Sequence, residues 1–437
     1  MILDDRRDAA RPTDPIEALL QGVWIDPDSG ERTCVPIDAI AIEPSLRNTE
    51  GERVAALNLG RRLAVVSDAN THRILGERVE TSLRGFATVD SIVLDADVAP
   101  DGDTAQRVRA ASASCDALIA VGSGTINDLA KFAAALDRKP YAVFATAPSM
   151  NGYTSANAAI TVEGHKKTLP ATLARGVFVD LDVLASAPPR MIRAGLGDSL
   201  CRSTAQMDWL LSHRVLGTAY REAPFQLLEE DEALLLAAPE ALMAGDAQAM
   251  RALARTLVLS GIGMTICGGS YPASQGEHLI SHYIDMLAPP SRDVHLHGEQ
   301  VAVATLTMAR LQQRMLESQP PTLRASTIDA DEVLRHFGPG VGAACWDEFR
   351  HKRLDDARAA ALTERVSAQW PSLQSDAARV TVSASVLESV MRRAGGPVSA
   401  GDIGLDDAFY ADAVSHARLL RNRFTFLDLA GDAGAPL

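Results

Sequence analysis

Residues 268–300 read GGSYPASQGEHLISHYIDMLAPPSRDVHLHGEQ and hold the densest group of potential metal ligands in the chain. His278 and His282 stand four residues apart, a spacing that brings both rings to one face of a helix. Imidazole nitrogen suits zinc and its first-row neighbours, and a catalytic metal takes about three protein ligands and keeps a position open. A third candidate, His297, follows the Pro289-Pro290 break, so it must come from a separate element that folds back. Two histidines at helical spacing also occur as packed or solvated pairs, and the spacing alone leaves both readings open. The glutamate precedes the first histidine, as Glu277, so the HExxH arrangement of a zinc peptidase is missing.

Asp198 lies in GLGDSLCRSTAQMDWLL, just after two glycines and against an apolar helix. A carboxylate there is costly unless it is paired or bound to a cation. It reads either as an N-terminal cap or, with two histidines, as part of a site for a divalent Lewis acid.

A second signal is ALIAVGSGTINDLAKFAA, residues 117–134. A buried strand ends at Val121, the turn Gly122-Ser123-Gly124 bends tightly, and Ile126, Leu129, Ala130 and Ala133 mark one side of a following helix. Backbone N–H groups at such a helix start attract a phosphate or pyrophosphate. The turn lacks the full GxGxxG form, and ordinary strand-to-helix turns often contain two glycines. Asp68, at the end of the strand RLAVVSD, could accept from a ribose hydroxyl or could simply cap the next helix. TAPSMNGYTS, residues 146–155, offers small hydroxyl residues for close approach to a ligand, which turn chemistry explains equally well.

These residues need elements to hold them. Apolar runs recur at RLAVVSD, SIVLDAD, ALIAVGSG, YAVFATAPS and GVFVDLD, spaced for crossover helices, which predicts a parallel sheet with helices on both faces. The residues before Thr33 are polar apart from IEALLQGVWI and read as an extension or covering helix. After Pro188-Pro189 the strand-like runs stop, and Ala- and Leu-rich helical patterns cover residues 191–217, 229–242, 248–266, 278–286 and 301–316. The expected organisation is an α/β dinucleotide-binding domain over residues 1–187 and an all-α, metal-binding domain over residues 188–437. Residues 326–437 remain helical in pattern and show no motif.

A chain of 437 residues exceeds one ordinary hydrophobic core, in keeping with two domains. Its formal charge of −14, with no basic tract, argues against a nucleic-acid or anionic-membrane surface and leaves room for a phosphorylated small molecule in a local pocket. The start lacks the apolar core of a signal peptide and no later run approaches a membrane span, so a soluble, cytoplasmic protein is expected. Five scattered cysteines without CxxC spacing predict reduced, mostly buried thiols.

Five stretches together resemble the sn-glycerol-1-phosphate dehydrogenase family, within the wider group of iron-containing alcohol dehydrogenases, glycerol dehydrogenase and dehydroquinate synthase. They are GSGTINDLAKFAA, FATAPSMNGYTSANAAI, GLGDSLCRSTAQMDW, YPASQGEHLISHYIDM and HGEQVAVATL, in the family's order. The resemblance implies one divalent ion (zinc, nickel or iron) on Asp198, His278 and His297, with His282 as a neighbour that touches substrate or relays a proton. It implies a pyrophosphate turn at Gly122, Ser123 and Gly124, with Thr125, Asp128, Thr146 and Ser149 near the cofactor. Metal and nicotinamide would meet in the cleft between the domains. Asn151 stands where the family usually has Asp, and Arg202 and Ser203 where Lys and Tyr are common; these departures bear on the substrate.

The expected activity is reduction of dihydroxyacetone phosphate to sn-glycerol 1-phosphate, in a homo-oligomer. Asn151 contributes to orienting the ketone, and Lys166, Lys167 and Arg202 are the cationic candidates for its phosphate. NAD is expected over NADP, because an Asp68 carboxylate repels a 2′-phosphate unless Arg73 intervenes. The alternatives are a lyase similar to dehydroquinate synthase, a polyol dehydrogenase, or a non-catalytic ligand-binding descendant.

Overall fold

The structure is a computed structural model that describes residues 14–162, 165–288 and 296–436. Numbered along the chain, its principal strands are β1 (Ala39–Glu43), β2 (Arg62–Asp68), β3 (Thr88–Leu94), β4 (Ala117–Gly122), β5 (Tyr141–Ala145), β6 (Asn157–Val162), β7 (His165–Pro170) and β8 (Gly176–Asp180). Six of them form one parallel sheet in the order β1-β8-β5-β4-β2-β3. Every residue of β4, β5 and β8 is buried, which is why their sequences are unbroken apolar runs.

From β2 the chain steps outward to β3 and then returns to the other side of β2 as β4. The connections diverge between β2 and β4, and in open α/β sheets the crevice at the carboxyl ends of such a pair is where ligands bind. Pairing of Val66 with Ala120 sets Asp68 and Gly122 at the same level beside that crevice. The Gly-Ser-Gly turn leads directly into α1 (Gly124–Asp137).

Two features escaped the sequence pattern. Edge strand β1, sequence AIAIE, is short and mostly half-buried, so it lacks the long apolar run of the central strands. The antiparallel hairpin β6–β7 stands outside the main sheet.

Beyond Pro189 the regular elements are helical among the described residues. They include α2 (Pro189–Leu200), α3 (Arg202–Leu216), α4 (Ala247–Ile266), α5 (Gly276–Leu287), α6 (His297–Leu316), α7 (Asp356–Val380) and α8 (Phe426–Ala433). Pro289 and Pro290 lie outside the described residues. One apolar cluster joins Val66 and Ala120 of the sheet to Leu196, Leu257 and Ala302 of the helices, so the two halves share a continuous core.

The helix Pro15–Leu20 covers this core with Ile16 and Leu19, and its N-cap Asp14 pairs with Arg255 of α4 at 2.5 Å. Contrary to the sequence reading, one run is long and apolar enough to cross a membrane: α4 has 20 residues, and an 18-residue window of it has a mean hydropathy of 1.2. Its apolarity has another cause, since 72% of that window is buried inside the protein. All five cysteines are free thiols, and Cys34 is exposed.

Candidate active site

Helices α2, α5 and α6 bring Asp198, His278 and His297 together, with one ligand atom from each lying within 4.8 Å of the others. Two glycines make the approach possible: a Cβ at Gly197 would overlap the Gly298 carbonyl, and one at Gly298 would overlap the carbonyl of Ala194. The backbones of α2 and α6 therefore touch. A bidentate pair from Arg190 to Glu299, both contacts 2.7 Å, ties the first turns of the two helices.

Asp198 is only 2% exposed, and its Oδ1 has no hydrogen-bond partner. Facing that oxygen are His278 Nε2 at 3.7 Å and His297 Nε2 at 4.0 Å. Each ring is held by its other nitrogen. His278 Nδ1 contacts Glu277 Oε1 at 2.9 Å, and His297 Nδ1 contacts Ser281 Oγ at 3.2 Å, whose hydroxyl donates to Gln300 at 2.7 Å. Burial pushes the Asp198 carboxyl up to about 6, with His278 and the Asn151 amide opposing. A buried orphan oxygen opposite two oriented imidazoles is a donor set that fits a divalent cation. The ring centroid of His282 lies 6.3 Å from those of both other histidines, outside the converging set.

The loop after β5 closes the site from the sheet side. Asn151 donates its backbone N–H to Asp198 Oδ2 at 3.0 Å, while its side-chain amide turns to Ser260 of α4 at 3.3 Å. The position thus supports Asp198 through the backbone, an interaction indifferent to Asn or Asp. Lys131 of α1 is fully buried and donates to the carbonyls of Gly152 at 2.6 Å and Asn157 at 3.0 Å. Its ammonium pins the loop to the start of β6.

On the sheet side, a Cβ at Gly122 would collide with Ile126, so the turn requires glycine. Ser123 is the N-cap of α1 yet makes no side-chain cap bond, which leaves the first N–H groups for a ligand. Thr125 and Ser149 are half-buried at this end, and the amide of Thr146 donates to the Gly122 carbonyl at 3.2 Å. Asp68 forms a capping box, its Oδ1 accepting from the amides of Asn70 at 2.8 Å and Thr71 at 2.9 Å. Arg73 folds back on Asn70. Asp128 accepts from the Ala159 amide at 3.0 Å, a link from α1 to the hairpin.

Of the cationic candidates for phosphate, Arg202 is committed elsewhere: it pairs with Glu232 at 2.7 Å and donates to Gln206 at 2.7 Å. Neighbouring Ser203 is buried. Lys167 is exposed on β7, and the side chain of Lys166 lies outside what is described. Residues that sequence reasoning missed are Ser281 and Lys131. Glu277 was noticed only for failing the HExxH pattern, although its place beside His278 is the signal for a carboxylate that orients a ligand.

The sequence profile of the iron-containing alcohol dehydrogenases matches residues 41–188. The chain is 30% identical over 413 residues to the glycerol-1-phosphate dehydrogenase [NAD(P)+] of Bacillus subtilis (strain 168), spanning 93% of this chain and 94% of the relative. With the same-named protein of Halalkalibacterium halodurans it shares 31% over 372 residues, 84% of this chain and 85% of that one. Among solved structures, a probable glycerol dehydrogenase from Sinorhizobium meliloti superposes with a TM-score of 0.59 at 18% identity, over 90% of this chain and 96% of its own. A 1,3-propanediol oxidoreductase gives 0.60 at 14%, over 90% and 94%. The structural likeness shows the fold, and the sequence likeness goes further: this chain belongs to the glycerol-1-phosphate dehydrogenase family of iron-containing alcohol dehydrogenase-like oxidoreductases.

Proposed function

We propose that this enzyme reduces dihydroxyacetone phosphate to sn-glycerol 1-phosphate with NADH, using one divalent zinc, nickel or iron ion on Asp198, His278 and His297. The observation that carries the reading is the partnerless, buried Asp198 Oδ1 facing two Nε2 atoms. When bound, the ion would polarise the ketone and the nicotinamide would supply the hydride.

The chain's own part is positioning and proton transfer. Glu277 and Ser281 fix the two imidazoles, and the Asn151 amide fixes Asp198. His282, half-buried beside them, is assigned to hand a proton to the product oxygen. The turn at Gly122, Ser123 and Gly124 and the uncapped start of α1 would receive the pyrophosphate, flanked by Thr125, Thr146 and Ser149. Asp128, being engaged with the hairpin, acts on the cofactor side through that structure.

Asp68 lies level with the glycine turn, and its carboxylate favours NAD over NADP by repelling a 2′-phosphate. Equal catalytic efficiency with NADPH would remove Asp68 from that role. NADH oxidation by metal-loaded protein, followed with dihydroxyacetone phosphate and with unphosphorylated polyol ketones, tests the activity. Turnover confined to the unphosphorylated ketones would make it a polyol dehydrogenase, and substrate consumption without net NADH loss would make it a lyase.

A further inference from the structure

Arg421 and Arg423 stand two residues apart on the segment between the turn Ala417–Leu419 and α8. Arg423 donates to the carbonyl of Ser274 and to Ser270 Oγ, and its guanidinium lies 4.8 Å from the centre of the Tyr271 ring. That stretch leads directly into α5, so Arg423 is fixed at the approach to His278, within electrostatic reach of Glu277. Arg421 reaches toward the other half of the molecule and donates to Thr168 Oγ1 of β7 at 3.2 Å. Because β7 itself packs on α5, the two arginines sit where the hairpin meets the helix that carries His278 and His282.

Neither arginine forms an ion pair with a carboxylate among the described residues. Glu348, the acid that faces them, accepts the backbone amide of Asn422 at 2.8 Å. Burial lowers the pKa of both guanidiniums, that of Arg423 to about 10, and the charge of Arg421 adds to the effect on Arg423. Two like charges gathered in a half-buried place are costly unless an anion joins them. The arrangement calls for an anion from outside.

We propose that Arg421, braced beside Arg423, binds the phosphate of the substrate at the meeting of hairpin, α5 and the C-terminal segment. The identity of the ligand rests on the dehydrogenase reading above; the anion site does not. Arg423 is committed to the segment before α5 and acts as a positioning residue. Among the described residues Arg421 makes one hydrogen bond, to Thr168, which leaves other N–H groups for a forked contact with phosphate oxygens. Lys167 precedes Thr168 on the strand and so faces the opposite side of the hairpin. The site also answers a problem of charge, since a chain at −14 repels a phosphorylated substrate unless cations are gathered locally.

The test uses the full chain with Arg421→Gln and Arg421→Lys. Inorganic phosphate is the binding probe, read as a shift in melting temperature, and the kinetic readout is kcat/KM for dihydroxyacetone phosphate relative to dihydroxyacetone. With NAD present to fill the glycine turn, phosphate should raise the melting temperature of the wild type and not that of Arg421→Gln. The kinetic ratio should fall about 10- to 100-fold in Arg421→Gln, the loss typical of a charged hydrogen bond. Arg421→Lys, which keeps the charge without the fork, should fall between. No phosphate shift in the wild type, a shift retained in Arg421→Gln, or equal loss with both ketones would overturn the proposal. Should Arg421→Gln not melt cooperatively, Arg421→Lys decides alone, and undiminished phosphate binding there overturns the site. A wild type that ignores dihydroxyacetone phosphate but binds phosphate through Arg421 keeps the anion site and removes the dehydrogenase reading.

Discussion

The two walls of the proposed site are built on opposite principles. On the sheet side, one contiguous stretch ends β4, makes the Gly122-Ser123-Gly124 turn and starts α1, so position and chemistry come from a single backbone path. On the helical side, Asp198, His278 and His297 come from three helices, and their meeting depends on Gly197 and Gly298 letting α2 and α6 touch. The first wall offers backbone N–H groups, which side-chain changes scarcely alter. The second offers side chains, each held in place by another, and is the more fragile.

That contrast predicts its own order of damage. His278→Ala or His297→Ala should remove the metal and cut turnover at least about 10³-fold, because the Lewis acid is lost outright. His282→Ala should slow turnover about 10²-fold or more while keeping the metal. Metal analysis of the purified variants separates the two, and metal loss in His282→Ala would mean that the wrong histidine has been assigned. Glu277→Gln should weaken metal affinity about 10- to 100-fold by loosening the His278 ring, measurable by competition with a chelating dye.

Smaller effects are expected in the sheet half and appear as stability. Gly122→Ala forces a methyl group against Ile126 and should cost about 1–3 kcal/mol, with weaker NADH binding in a fluorescence titration. Lys131→Met leaves the Gly152 and Asn157 carbonyls without their buried donor and should cost about 1–3 kcal/mol in denaturant unfolding. If either change left stability intact and destroyed metal binding, the walls would not be as separable as their construction implies.

The difference also explains what could be read beforehand. The central strands and the glycine turn were legible because strands buried on both faces spell out continuous apolar runs, and the turn is local. Strand β1 and the hairpin were not, since neither contains such a run. His278 was visible, but its spacing to His282 did not reveal that His297 and Asp198 converge on it instead, because helical periodicity says which residues share a face and nothing about what faces them. Arg202 illustrates the same limit: its charge was plain in the sequence, its neutralisation by Glu232 was not. Arg421 and Arg423 went unnoticed because two arginines in a helical tail look solvated until folding places them against the hairpin and the Ser270–Ser274 segment. Asp68 conforms to the commoner of its two readings, a cap, and its proximity to the glycine turn emerges only from the register of β2 on β4.

The most direct test is a metal titration of chelator-stripped enzyme, followed by dihydroxyacetone phosphate-dependent NADH oxidation and by the stereochemistry of the product. The account predicts no turnover in the stripped protein, recovery that saturates at one ion per chain, sn-glycerol 1-phosphate as product, and no recovery in His297→Ala at any metal concentration. Full activity in the stripped enzyme, or full recovery in His297→Ala, would contradict it.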